Sequence, residues 1–479
     1  MRTVRLAPSA IAFTFAMTGA ALAQTTPSLP NATARAIDAV YARYASPDAP
    51  GCAVGVFQNG RILLEKGYGS ANIEYGVPIT GKTPFIMGSV SKQFTAAAIA
   101  LLVEQGKIKL DDDVRKYVPE LPDYGKHITI DHLVHHTSGV RDFWSLVEAS
   151  GARPDDGYTV DDILHIAARQ KHLNFDPGAE YNYSNTGYVL LGVVVQRVTG
   201  LSLRQFADQQ IFKPLGMSIS HFHDDHNEPV KGRAFAYSPL ADAKWKINIW
   251  NNDIVGQGGL MTNVEDLQKW DENFYTGQVG GKPFLAQQLQ QGVLNDGTKL
   301  AYAFGLEVGE YRGLPLVEHS GSTGGYRTDI SRFPTQHTSV VTMCNLSTAD
   351  AVRLAHGVAD AVLADRFTKP VPAAATRAAA RQAAASISLS DADLAPLTGR
   401  FFSDELNASY DLSKGAGTLL LRRSRTLDTL RAVDPHTFRG GGVTLHFASD
   451  PTKSPAFTVE NGRARGIEFE RMPAGTGSK

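Results

Sequence analysis

The chain has little cysteine: Cys52 and Cys344 are the only two in 479 residues. That excludes a disulfide-rich scaffold and leaves either two buried thiols or a single bridge. Buried thiols are the expectation, because pairing needs a geometry that spacing alone does not supply. Neither sign of charge is in excess, with 47 Lys and Arg against 48 Asp and Glu and a net charge of −1. Without a long basic run or an acidic tail, nucleic acid is not an expected partner. Long apolar runs are scarce too. Past the N-terminus none approaches the roughly 20 residues a spanning helix needs, so no stable membrane span is expected.

The first residues do carry a signal. Arg2 and Arg5 precede an apolar stretch from Ile11 to Leu22, which closes on Ala21-Leu22-Ala23. This is the form of a secretory leader cleaved after Ala23, so residues 1–23 are expected to be removed and the mature chain to be exported, periplasmic or secreted. The remainder is too long for one ordinary domain, and two are expected.

Helical and strand patterns divide the chain accordingly. Thr33 to Tyr44 reads as an amphipathic helix, and Gly51 to Gln58 and Arg61 to Tyr68 flank Asn59-Gly60 as a hairpin. Phe94, Ala97, Ala98, Leu101 and Leu102 have helical spacing before the stop at Gly106. Leu110 to Ser150 is irregular, apart from a short helix near Ile130 to His135. Helices follow at Thr159 to Gln170, Tyr188 to Val198 and Ser202 to Phe212, the second apolar on most sides and therefore buried. Thr262-Asn-Val-Glu265 has capping-box spacing. Strands are expected again at Ala303 to Glu307, Leu316 to His319, Tyr326 to Phe333 and Ser339 to Asn345, with a closing helix from Thr348 to Phe367. Strands at both ends and helices between them give an α+β body, residues 24–368, with one mixed sheet and a helical lobe. Residues 369–395, rich in alanine with Pro370 and Pro372, read as a linker. From residue 396 to 479 helical periodicity is lacking, and some eight short alternating runs suggest a small antiparallel barrel or sandwich.

Three separated motifs carry the chemistry. Ser89-Val-Ser-Lys92 puts a hydroxyl and an amine three residues apart, hence on one helix face, where a neutral lysine could take the serine's proton. Tyr183-Ser184-Asn185 offers a phenol able to share that proton transfer and an amide that both donates and accepts. His319-Ser320-Gly321 lies on a strand-like run whose glycine lets a substrate backbone approach. Neither Lys92 nor Tyr183 can be named the base from sequence, because their protons are coupled.

In order and spacing these motifs resemble the serine β-lactamase and penicillin-binding-protein family, in particular its branch of class C β-lactamases, DD-peptidases, D-aminopeptidases and esterases. The resemblance runs from about Ala34 to Phe367 and extends to His136-Thr-Ser-Gly139, Pro214-Leu-Gly-Met217 and Gly258-Gly-Leu-Met-Thr262. It implies a serine hydrolase that needs no cofactor and no metal. Ser89 would be acylated, Lys92 and Tyr183 would move its proton, and Asn185 would hold an amide of the substrate. The backbone N–H groups of Ser89 and Ser322 would form the oxyanion hole, and His319 and Gly321 would line the strand beside a small-molecule or peptide substrate. Alternatives are a β-lactamase and a penicillin-binding sensor that acylates without turnover. The resemblance implies a lipocalin-like C-terminal barrel, gating the cleft, assisting assembly or only adding stability; the oligomeric state stays open.

One departure matters. Many members have lysine where this chain has His319, which is mostly neutral near pH 7. That weakens the β-lactamase reading and favours peptidase, amidase or esterase activity. Arg327 reads as a surface arginine. His221-Phe-His-Asp-Asp-His226 looks like a metal cluster, but no helix fixes its spacing and it is read as a connecting segment. His135 and His136 are expected to pack beneath the site. Trp245 and Trp250 are open between cleft wall and core.

Overall fold

The computed structural model describes residues 29–371, 387–450 and 454–473. The expected leader and residues 372–386 of the expected linker lie outside the described residues. Among the described residues no single helix is long and apolar enough to cross a membrane.

The body is built on a six-stranded sheet ordered Glu307–Tyr311, Leu314–Thr323, Tyr326–Phe333, Thr338–Cys344, Cys52–Gln58, Arg61–Tyr68. It was expected as mixed, but all five pairings are antiparallel, because hairpins join neighbours and the chain's two ends meet head to tail. Cys52–Gln58 is buried on both faces and shows why alternation fails there. Cys52, Val54 and Val56 pack under the helices Asn31–Tyr41 and Ala351–Val362, while Ala53 and Phe57 enter the main core.

That pairing also corrects the thiol expectation. Cys52 and Cys344 are direct cross-strand partners, their Cα atoms 4.0 Å apart, and they form a disulfide. Two apolar runs gave no hint of lying side by side, since 292 residues separate them.

The helical lobe follows the expected order with local shifts. Asn185–Thr199 begins three residues early, because Ser184 caps it by accepting from the Gly187 N–H, and Gly200 ends it at φ 74°. Thr262 is not the cap of Val264–Thr276; Asn263 is, accepting from Asp266 N–H. The expected strand at 303–307 lies instead at Glu307–Tyr311, paired with Leu314–Thr323. The stretch read as irregular contains the helix Phe143–Ser150, capped by Asp142 and stopped by Gly151 at φ 81°.

The C-terminal unit is a closed eight-stranded antiparallel barrel from Gly399–Ser403 to Ala464–Arg471, its last strand pairing with its first. Inward residues such as Phe401, Tyr410, Phe457 and Phe469 fill it with aromatic rings. Leu146 and Ala149 of the Phe143–Ser150 helix join the same apolar cluster, and Tyr410 Oη donates to the Ala149 carbonyl at 2.7 Å. A fully buried Arg141–Glu405 ion pair crosses the same junction. The barrel is thus docked on the helix whose first residues face the candidate site.

Candidate active site

Ser89 sits in a 3-10 turn, Gly88–Ser91, that continues directly into the helix Lys92–Glu104. Gly88 has φ 52°, and a Cβ on it would stand 2.7 Å from the Ser322 backbone nitrogen. Only glycine takes that conformation at such close approach. Gly321 completes the fit: a Cβ there would overlap the Met87 carbonyl, whose oxygen also accepts from Thr328 Oγ1 at 2.7 Å. The serine-bearing turn is therefore pressed flush against the strand Leu314–Thr323.

Lys92 is completely buried beneath this turn. Its Nζ lies 3.2 Å from Ser89 Oγ, 2.9 Å from Asn185 Oδ1 and 2.7 Å from the Gln257 carbonyl oxygen. Burial pushes its pKa well below the ordinary lysine range; Asp142 opposes that shift and Arg463 adds to it. A neutral amine has two N–H groups and one lone pair. In that form the Asn185 and Gln257 oxygens would take both N–H groups and leave the lone pair facing the Ser89 hydroxyl; as an ammonium the same nitrogen donates to all three oxygens.

Asn185 is oriented by a residue that sequence reasoning missed. Buried Asp142 accepts from its backbone N–H at 2.7 Å and from its amide Nδ2 at 2.8 Å, both on Oδ2. The amide oxygen must then face Lys92. An aspartate just before the apolar run Phe143–Val147 is a helix-start signal, which could have revealed the cap but not its second task.

Tyr183 brings its phenol to Ser89, and its ring centre lies 4.7 Å from Lys92 Nζ. Desolvation raises the phenol above its usual range, although the nearby Ser89 hydroxyl pulls the other way. Behind it His136 packs at 4.1 Å between ring centroids and accepts from the Ser184 N–H through Nδ1 at 3.1 Å. His136 is buried, and desolvation holds its pKa well below the usual value. His135 is also buried, its ring nitrogens near the Asp131 and Gln290 carbonyls.

His319 is equally constrained. Its Nδ1 donates to the Ser320 carbonyl at 2.7 Å, and its Nε2, 3.1 Å from Tyr302 Oη, accepts from that hydroxyl. Burial above all lowers its pKa to about 4, so the imidazole is uncharged near neutrality. Tyr302 lies just outside a stretch read as a strand, and no motif pointed to it.

These groups surround a cavity of about 540 Å³ lined by Ser89, Tyr183, Asn185, His319, Ser322 and Arg463 among others. Gly321 does not line it; its place is in the packing against Met87. Trp250 does line it, beside Trp144 at 6.0 Å, whereas Trp245 packs with the outer face of the sheet. Arg327 is spent on the Gly324 and Tyr326 carbonyls. Away from the cavity, His221, His223 and Glu228 bring ligand atoms within 4.8 Å of one another. Both Glu228 oxygens are held by Arg204, at 2.6 and 2.9 Å, so a cation already occupies that carboxylate.

The chain is 30% identical over 329 residues to a D-aminopeptidase of Gluconobacter oxydans, covering 68% of this chain and 61% of that one. It is 28% identical over 304 residues to penicillin-binding protein 4* of Bacillus subtilis, covering 60% and 66%. The chain thus spans less than two thirds of the length of either relative. The octameric penicillin-binding protein homologue from Pyrococcus abyssi shares the fold with a TM-score of 0.64 at 24% identity, covering 87% of this chain and 94% of that one. The sequence profile of the Beta-lactamase family matches residues 34–363, and the chain belongs to that family.

Proposed function

We propose that the protein is a serine hydrolase working through a Ser89 acyl-enzyme on amide, peptide or ester substrates, with D-configured amino acid derivatives as the first class to test. The observation that carries this reading is the Lys92 amine, 3.2 Å from Ser89 Oγ with its two other neighbours both pure acceptors.

The opposed shifts of the two candidate bases support a division of labour. Lys92, pushed down, takes the Ser89 proton as Oγ attacks the carbonyl carbon; Tyr183, pushed up, stays a phenol and relays a proton to the leaving nitrogen or oxygen. The carbonyl oxygen becomes an oxyanion facing the backbone N–H groups of Ser89 and Ser322, for which the contact between Gly88 and Ser322 is the supporting geometry. Water then attacks the ester carbonyl, and Ser89 recovers its proton. Uncharged His319 argues against a substrate held by a cation on that strand, and so ranks β-lactam hydrolysis below peptide, amide or ester hydrolysis. The names of the D-aminopeptidase and penicillin-binding relatives support the same ordering. The leader-like residues 1–23 and the Cys52–Cys344 bridge support an exported protein.

The test is covalent labelling with a fluorophosphonate, followed by turnover of D-aminoacyl anilides, D-Ala-D-Ala peptides, p-nitrophenyl esters and nitrocefin. Labelling confined to Ser89, with turnover of one class, is expected. Equal labelling of Ser89→Ala would remove the reading, and a burst without turnover would identify a penicillin-binding sensor instead.

A further inference from the structure

The cleft has one wall that the catalytic body does not make. The turn between the barrel strands Phe457–Asn461 and Ala464–Arg471 reaches into the cavity and places Arg463 on its lining.

The backbone of this turn is clamped. Arg463 N–H donates to Ser145 Oγ at 3.0 Å, its carbonyl accepts from Asn174 Nδ2 at 2.7 Å, and Arg465 N–H donates to Asn174 Oδ1 at 2.9 Å. Gly462, at φ 51°, brings the turn so close that a Cβ there would stand 2.9 Å from Ser145 Oγ. Both gripping side chains belong to the catalytic body, so the arginine is delivered to a defined place.

The side chain itself is left available. Its guanidinium carbon stands 4.7 Å from the Tyr183 ring centre, and its side chain is 47% exposed. Asp142 is the nearest carboxylate, 3.8 Å from Nη1, but the Oδ2 concerned already accepts twice from Asn185. Among the described residues the guanidinium donates no hydrogen bond. A guanidinium resting on an aromatic face keeps its in-plane N–H groups free, and these match a carboxylate in bidentate fashion.

No other lining residue offers a cation. Lys92 is fully buried beneath the serine turn and off the lining, and His319 is uncharged near pH 7. Glu307 is the one acidic side chain on the same lining, and burial shifts it toward its uncharged form.

We propose that Arg463, carried into the cleft by the C-terminal barrel, receives an anionic group of the substrate, a carboxylate above all, and makes this hydrolase selective for acidic substrates. The inference rests on the Ser89 acyl-enzyme reading.

Two matched ester pairs test it. Mono-p-nitrophenyl succinate against p-nitrophenyl butyrate carries the charge in the acyl part; 3-butanoyloxy-4-nitrobenzoate against 2-nitrophenyl butyrate carries it in the leaving part. Each is measured on the full-length protein as wild type, Arg463→Lys, Arg463→Ala and Arg463→Glu. In at least one pair the wild-type kcat/KM ratio, charged over neutral, should exceed one. It should fall about 10- to 100-fold in Arg463→Ala, as for loss of a charge-assisted hydrogen bond. Arg463→Lys should restore part of it, Arg463→Glu should fall lowest, and the loss should sit mainly in KM. The backbone clamps involve no side-chain atom of residue 463, so a merely structural effect would lower both members of a pair together. A ratio that stays constant across the four proteins in both pairs would overturn the inference while leaving the Ser89 reading intact. Absence of Ser89-dependent turnover for every ester would remove both.

Discussion

Asp142 grips Asn185 twice through one oxygen, at its backbone N–H and at its amide nitrogen, and in doing so points the amide oxygen at Lys92. The same carboxylate is the principal charge favouring protonation of that lysine. Two functions, orientation and basicity, therefore meet in one buried side chain.

The pH profile should reflect this. The active form has Lys92 neutral and its pKa is depressed, so activity is present above that pKa and lost as pH falls through it. Removing the negative charge in Asp142→Asn makes the charged lysine less favourable. The acid limb of kcat/KM should move to lower pH, with a reduced plateau from the weakened hold on Asn185. A limb that moves to higher pH, or stays fixed, would contradict the assignment of Lys92 as base. His319, with a pKa of about 4, should add no limb above pH 6.

Gly321→Ala sets a Cβ against the Met87 backbone carbonyl, which cannot rotate away. The strand must retreat from the Ser89 turn and take the Ser322 N–H with it. A loss of about 1–3 kcal/mol in stability is expected, together with at least a tenfold slower fluorophosphonate reaction at Ser89, measured by denaturant melts and labelling kinetics.

The unfolded mature protein should react with no thiol reagent until reductant is added, and then with two equivalents. Replacing both cysteines by serine should cost about 2–4 kcal/mol, read from urea melts with and without reductant.

At the junction of the two units, Glu405→Gln leaves Arg141 buried with a neutral partner. Breaking such a pair costs about 3–5 kcal/mol, and the expected readout is limited proteolysis that releases the barrel at protease concentrations the wild type resists. Arg141→Met with Glu405→Leu should not recover the loss, because Glu405 also accepts from the Lys171 and Glu468 backbone N–H groups, which leucine would leave unpaired.

The groups that Ser89, Lys92, Tyr183 and His319 bring together were legible because each belongs to a short motif whose neighbours also carry information. The barrel was legible because alternation replaced helical spacing after residue 396. Asp142, Tyr302 and Arg463 were not, and for one reason. Each reaches the site from a segment with its own local duty, as a helix cap, in the run leading to an edge strand and in a hairpin turn, and only tertiary packing gives it a second. Asn461-Gly462 announces a turn, but nothing in it says where the turn points. The bridge ranked second to two free thiols for a similar reason, since cross-strand register is a property of two distant runs together. The Phe143–Ser150 helix was hidden among glycine and proline breaks, and it joins the barrel core through Leu146 and Ala149.

Cys52–Gln58 lies between its own hairpin partner and Thr338–Cys344, so the sheet cannot be completed until almost the whole catalytic body has been made. A nascent chain that stops earlier presents an unpaired apolar edge, which favours sticking to other chains over folding. Truncations ending before residue 338 should therefore collect as insoluble material, whereas chains that include Cys344 have a route to a soluble state.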